Sequence, residues 1–169
     1  MTRVDAAVGN DPAMAHFESA VVPLMPALLA YFARRVLPSE DAADCLSETM
    51  IVLWRHRSRL PESDDARRAW TFGVARRVLS NQRRGRIRQL ALADRVRAEV
   101  RLTLPPADRD DEVAAALETL PERDAELVRL IIWDGFGVSE AGALLGLRAG
   151  ASRTRYSRAK EKLRALLPG

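Results

Sequence analysis

Apolar residues recur at steps of three and four along most of the chain, and strict alternation is absent, which predicts helices rather than strands. From Met14 to Val36 the positions Phe17, Val21, Leu24 and Leu28 mark one face of a first helical stretch. Pro23 and Pro26 interrupt it: proline lacks an amide donor and crowds the preceding turn, so a kink or break is expected. Pro38 closes the stretch. Ser39 offers a cap to a second helix, whose first turn carries Glu40 and Asp41 where the helix dipole favours acids. That helix runs to about His56, with Ala42, Cys45 or Leu46, Thr49 and Leu53 inward. Residues 58–66 (SRLPESDDA) read as a loop. A third, long helix follows from about Asp65 to Gln89, with Phe72, Ala75 and Leu79 facing the core.

The pattern then weakens over residues 90–112, which end in LTLPPADRDDE; paired prolines and an acidic run read as a linker. Beyond it the helical period returns in shorter units. One helix starts at Pro121 or Glu122 and ends near Asp134, before Gly135. A short one spans about Val138 to Leu145 and stops at Gly146, a residue suited to the left-handed closing position. The last runs from about Ala149 to Leu167, with Tyr156, Ala159, Leu163 and Leu166 inward. The expected fold is all-α: two small helical domains, 12–90 and 113–169, joined by a flexible acidic linker, 91–112.

Composition narrows the class. The 169 residues are 47% hydrophobic, enough for compact cores. No run approaches the roughly 18 apolar residues of a membrane helix, so no membrane insertion is expected. The N-terminus lacks a signal-peptide pattern and Cys45 is the only cysteine, which together point to the reduced cytoplasm. His16 and His56 lie in different helices without ligand-spaced partners. No nucleotide-binding glycine loop or paired-carboxylate pattern stands out. No metal, cofactor, small-molecule substrate or enzymatic activity is expected.

Charge is segregated. Arginine outnumbers lysine 25 to 2, a bias that a GC-rich genome explains by itself, but its distribution is informative. Residues 67–101 carry eleven arginines against two acids, a net +9, and 127–169 sum to +5; residues 16–66 sum to −3 and 102–126 to −6. Two basic blocks separated by acidic stretches suggest two polyanion-facing surfaces, although arginines that merely solvate helix faces give the same totals.

On the third helix Trp70, Arg77, Asn81, Arg84 and Arg88 fall on one stripe. Guanidinium groups, an amide and a flat ring are the combination that grips single-stranded DNA. A core tryptophan is the competing reading of Trp70. Near the C-terminus VSEAGALL, a GL turn and AGASRTRYSRAKEKLRALL have the proportions of a helix-turn-helix. Arg148, Ser152, Arg153 and Arg155 occupy the leading turns of its second helix, where arginine pairs with guanine in a major groove. Arg158, Lys160, Lys162 and Arg164 suit phosphates or solvent. A plain helical hairpin is the alternative.

Three stretches, in order, resemble the extracytoplasmic-function group of bacterial RNA polymerase sigma factors. SEDAADCLSETMIVLWRHRSRL is similar to the family's core-binding region two, with Asp44, Glu48, Thr49, Leu53 and Trp54 matching and Ser47 standing where Gln is usual. RRAWTFGVARRVLSNQRRGR resembles the helix that melts and reads the minus-ten element. LETLPERDAELVRLIIWDGFGVSEAGALLGLRAGASRTRYSRAKEKLRALL resembles region four, which reads the minus-thirty-five element. Gly137 replaces a common capping Ser, Arg148 a usual Ser, and Arg77 a frequent Asn.

The resemblance implies a sigma factor that binds core RNA polymerase and directs promoter-specific initiation. Asp44 and Glu48 would pair with arginines of the β′ clamp, Thr49 would share that face, and Leu53 with Trp54 would form a desolvated anchor, unless those two belong to the core. Arg67, Arg68, Trp70, Arg76, Arg77, Asn81, Arg84 and Arg88 would meet the minus-ten element, with the Ser58–Ala66 loop helping to hold an extruded base. Arg148, Ser152, Arg153, Arg155 and Arg158 would meet the minus-thirty-five element. The β flap is the second polymerase contact implied, and an anti-sigma factor is a further expected partner. Two rivals remain. A stand-alone helix-turn-helix regulator leaves the Asp44–Trp54 helix and the Trp70 stripe without a role; the other is an adaptor whose helices bind only protein.

Overall fold

The computed structural model describes residues 11–36, 41–93 and 109–167, with side chains described throughout except at 88–93 and 109–111. Among these residues the secondary structure is helical: α1 (Pro12–Val21), α2 (Met25–Ala33), α3 (Asp41–Arg55), α4 (Asp64–Ala93), α5 (Arg109–Glu118), α6 (Glu122–Ile132), α7 (Val138–Leu144) and α8 (Ala149–Leu166). The chain divides into two compact units, Met1–Ser80 and Asn81–Gly169, so the division falls within α4. Pro38 and Ser39 lie outside the described residues. Helix occupies both ends of the stretch read as linker, since α4 continues to Ala93 and α5 begins at Arg109.

In the first unit the expected interruption is a 3₁₀ turn, Val22–Leu24, that holds Pro23 between α1 and α2. Asp11 caps α1 by accepting from the Ala13 amide at 3.0 Å. Phe17, Val21, Leu28, Tyr31 and Phe32 are buried, as are Ala42, Cys45, Thr49 and Leu53 of α3 and Phe72, Val74, Ala75, Val78 and Leu79 of α4. The residues expected to face inward on these three elements therefore build one core, except Leu24 and Leu46, which are only half-buried. Edge-to-face rings fasten it: Tyr31 with Phe32 at 5.3 Å and with Phe72 at 5.5 Å between centroids. Arg35 is buried here, donating to the Tyr31 carbonyl at 3.0 Å while its guanidinium lies 3.9 Å from the ring centroid.

One sequence expectation changes. The helical stretch Pro12–Ala33 is long and apolar enough, by length and composition, to cross a membrane. Phe17, Val21, Leu28, Tyr31 and Phe32 on it are buried in the protein core, whereas Met14, Val22 and Leu29 are exposed, and the 3₁₀ turn breaks its helical ladder.

In the second unit α5 to α8 surround Leu117, Leu120, Ala125, Val128 and Ala159, with Trp133, Tyr156 and Leu163 packed at the edge. Gly135 and Gly146 adopt φ of 69° and 68°, the left-handed region that other residues occupy at a cost. They end α6 and α7 where the sequence expects breaks. Gly137 precedes α7 without a side chain to offer, so only half of a capping box forms: its amide donates to Glu140 Oε2 at 2.8 Å. Leu166, expected inward, is instead 46% exposed.

Candidate polymerase and promoter interface

Helix α3 presents two unlike faces. Thr49 and Leu53 are fully buried, and the Thr49 hydroxyl donates to the Cys45 carbonyl at 2.7 Å. Neither reaches a partner's surface; both hold α3 in place, and Leu53 is corrected from anchor to core. On the other side Asp44, Glu48, Ile51 and Arg55 are exposed at steps of four, three and four. Ile51, 52% exposed on an otherwise charged face, was missed because one apolar residue among acids leaves no periodic signal. Burial, then the carboxylates of Glu48, Asp41 and Asp44, pushes the Cys45 thiol up, so it stays neutral.

Trp54 stands between core and surface. Phe17 meets its ring edge-on at 5.2 Å, and the Arg57 guanidinium lies 4.1 Å above it while donating to the Trp54 carbonyl at 3.1 Å. Past this stack a 3₁₀ turn, Arg57–Arg59, opens the loop to α4. A cavity of about 300 Å³ lies there, lined by Ala13, His16, Phe17, Arg57, Ser58 and Leu60.

Helix α4 carries the first basic block, but its arginines do different jobs. Arg67 is tied to the loop: Nε donates to the Pro61 carbonyl at 3.2 Å, NH2 to Glu62 O at 2.6 Å and NH1 to Asp64 Oδ1 at 2.7 Å. It fixes the loop's shape, a role the sequence did not show. Arg68 lies 5.6 Å from the Phe72 ring centroid. Trp70 is half-buried against the cluster of Phe17, Val21, Leu53 and Val74, so its ring is not the open platform expected. Arg76, Arg77, Asn81 and Arg84 are exposed, and Arg84 donates to Asn81 Oδ1 at 2.7 Å. The Arg88 side chain lies outside those described.

Helix α8 follows Arg148, whose extended backbone and exposed side chain stand at its start. Ser152 is fully buried and donates to the Arg148 carbonyl at 3.0 Å. A Cβ on Gly142 would lie 2.6 Å from Ser152 Cβ, so α7 and α8 touch backbone to side chain here. Ser152 is thus a packing residue, not a reader. Arg155 is paired with Asp124 at 2.7 Å. Arg153 and Arg158 are exposed, as are Thr154 and Ser157 between them, which were missed because neither carries charge. Elsewhere in this unit an apolar groove of about 370 Å³ is lined by Val113, Ile132, Trp133 and Leu163, with Lys160 and Arg164 at its margin. Among the described residues, no group of three His, Cys, Asp or Glu side chains is placed to hold a metal ion.

A short acidic helix face, a loop-braced basic helix and a basic helix-turn-helix occur in this order in a known architecture. Sigma-70 region 2 matches residues 25–89, and Sigma-70, region 4 matches residues 110–163. A Caulobacter vibrioides protein, ECF RNA polymerase sigma factor SigF, is 32% identical over 158 residues, covering 92% of this chain and 87% of its own. The chain belongs to the extracytoplasmic-function sigma factors. The sigma factor CarQ of Myxococcus xanthus is 30% identical over 162 residues, covering 94% of this chain and 92% of its own. Among solved structures, the sigma factor RpoE in complex with the anti-sigma factor NepR from Bartonella quintana is similar with a TM-score of 0.70 and 25% identity, over 89% of this chain and 96% of that one. CnrH in complex with the cytosolic domain of CnrY gives 0.63 and 25%, over 90% and 88%. As a sigma factor, the protein serves RNA polymerase in promoter-specific transcription initiation.

Proposed function

We propose that the work of this sigma factor is divided among three surfaces. The α3 face of Asp44, Glu48 and Ile51, with Trp54 beside it, docks on the β′ clamp: carboxylates meet arginines at the rim and the apolar side chain supplies the desolvated centre. Helix α4 takes the minus-ten element through Arg76, Arg77, Asn81 and Arg84, with Arg68 and Trp70 at its upstream end and Arg67 bracing the loop. The cavity under that loop, walled by Phe17 and edged by Arg57 and His16, suits an extruded base, whose unstacking costs a few kcal/mol. Helix α8 reads the minus-thirty-five element through Arg148, Arg153 and Arg158, and the apolar groove beside it receives the β flap. The domains are 12–90 and 113–169, joined through 91–112. The chain works in the cytoplasm without a cofactor or catalysis of its own, and an anti-sigma factor holds it inactive, as the complexes of its structural relatives suggest.

The observation that supports this reading best is the segregation of charge: exposed arginines lie on α4 and α8, and the exposed face of α3 carries Asp44 and Glu48. Transcription in vitro with purified core polymerase on genomic fragments tests it. Promoter-specific transcripts are expected only when both proteins are present. Tight, specific binding to a duplex by the purified chain alone, with no stimulation of the polymerase, would replace it with a stand-alone regulator.

A further inference from the structure

Arg155 belongs to the stripe of α8 that faces its own unit. Ser152 precedes it by three residues and Ala159 follows by four, and both are buried. Its guanidinium NH1 donates to Asp124 Oδ1 at 2.7 Å, with the side chains 42% and 19% exposed. Asp124 lies in the first turn of α6. The residue before it, Arg123, reaches the other way and donates from NH2 to the Leu145 carbonyl at 2.6 Å, at the end of α7 and one residue before left-handed Gly146. Two consecutive residues of α6 thus grip both parts of the helix-turn-helix. A third tie, from Lys162 Nζ to the Thr119 carbonyl at 2.6 Å, fastens the far end of α8.

Within α7 itself the buried residues are small, and the larger Leu145 is buried just past its end. Helix α7 has seven residues, and the buried ones on it are Ala141 and Gly142. Small contacts fix distance well and angle poorly; directional charged hydrogen bonds fix angle. We infer that Asp124, with Arg123, is a positioning brace for minus-thirty-five recognition, and that Arg155 is the far end of this brace and not a contact to promoter DNA. The inference rests on the reading of α8 as the promoter-facing helix. It reverses the role that the arginine-rich pattern of α8 implies for Arg155, and it leaves recognition to the outward residues Arg153, Thr154, Ser157 and Arg158.

Salt dependence separates the two roles. Each phosphate neutralised by a cation steepens the plot of log affinity against log salt by about 0.9. An arginine that keeps a carboxylate partner with and without DNA adds nothing to that slope. The holoenzyme, formed with purified core polymerase, is titrated onto a promoter duplex across a salt series. Arg153→Gln and Arg158→Gln, the controls, are expected to make the slope shallower. Arg155→Gln and Asp124→Asn are expected to weaken binding on the order of tenfold, within the coupling range of contacting residues, with the slope unchanged. Their effect is expected to vanish on a promoter whose minus-thirty-five element is scrambled. The charge-exchanged double variant, Asp124→Arg with Arg155→Asp, is expected to recover most of the loss, and it carries the test should either single variant fail to fold by circular dichroism.

A shallower slope for Arg155→Gln, together with tighter binding by Asp124→Asn, overturns the brace and makes Arg155 a phosphate contact held in reserve. A folded charge-exchanged variant that stays as weak as the single variants also overturns it. If the two controls leave slope and affinity untouched, α8 does not face the promoter, and the brace falls together with the reading beneath it.

Discussion

Leu53 and Ile51 are two residues apart on α3 and answer to different forces. Leu53 is enclosed by the core, so Leu53→Ala removes contacts the surroundings cannot refill, at a cost of about 2–5 kcal/mol measured by urea unfolding. Ile51 is already half in water, so Ile51→Glu is expected to leave the unfolding midpoint nearly unchanged and to weaken capture of core polymerase in a titration with labelled protein. Intact capture would remove Ile51 from the interface. Cys45 gives a second test at this scale. Its thiol holds its proton more tightly in the folded protein than in the unfolded chain, so its contribution is intact below the ordinary thiol pKa and is lost as pH rises through the raised value. Unfolding free energies compared at pH 7.5 and pH 10 are expected to fall more for the native protein than for Cys45→Ala.

Single helices were legible where their signals are local. The proline break between α1 and α2, the glycine stops at Gly135 and Gly146, and the inward residues of α3 and α4 all follow from rules acting within a turn or two. How two elements meet is another matter. Nothing local to Gly142 or Ser152 announces that they touch, yet a Cβ on Gly142 would overlap Ser152 Cβ. Gly142→Ala is therefore expected to destabilise the second unit by roughly 1–3 kcal/mol, the usual range for overpacking, despite its higher helix propensity. Adding Ser152→Gly is expected to restore much of the loss in thermal melts. A stable Gly142→Ala variant would mean that α7 and α8 lie further apart.

At the scale of the whole molecule, the arginines proposed to face the promoter fall in two groups on different helices, which predicts separable phenotypes. Arg77→Gln with Arg84→Gln is expected to slow promoter opening, read by permanganate reactivity of the melted strand, while Arg153→Gln with Arg158→Gln is expected to weaken the initial closed complex. As for independent sites, their effects on overall free energy are expected to add within about 0.5 kcal/mol. Strong non-additivity would show that the two surfaces act as one.

The order of helices, their breaks and the alternation of basic and acidic blocks were set by the sequence itself, since helical period, proline, glycine and charge act over a few residues. Tertiary structure alone decided which member of each set is spent internally. Leu53 went to the core while Ile51 stayed outside, Arg67 went to the loop, Ser152 to the α7 crossing and Arg155 to Asp124. In the sequence a guanidinium that will meet a carboxylate thirty-one residues away looks the same as one that will meet a phosphate, because the partner is brought to it only by folding.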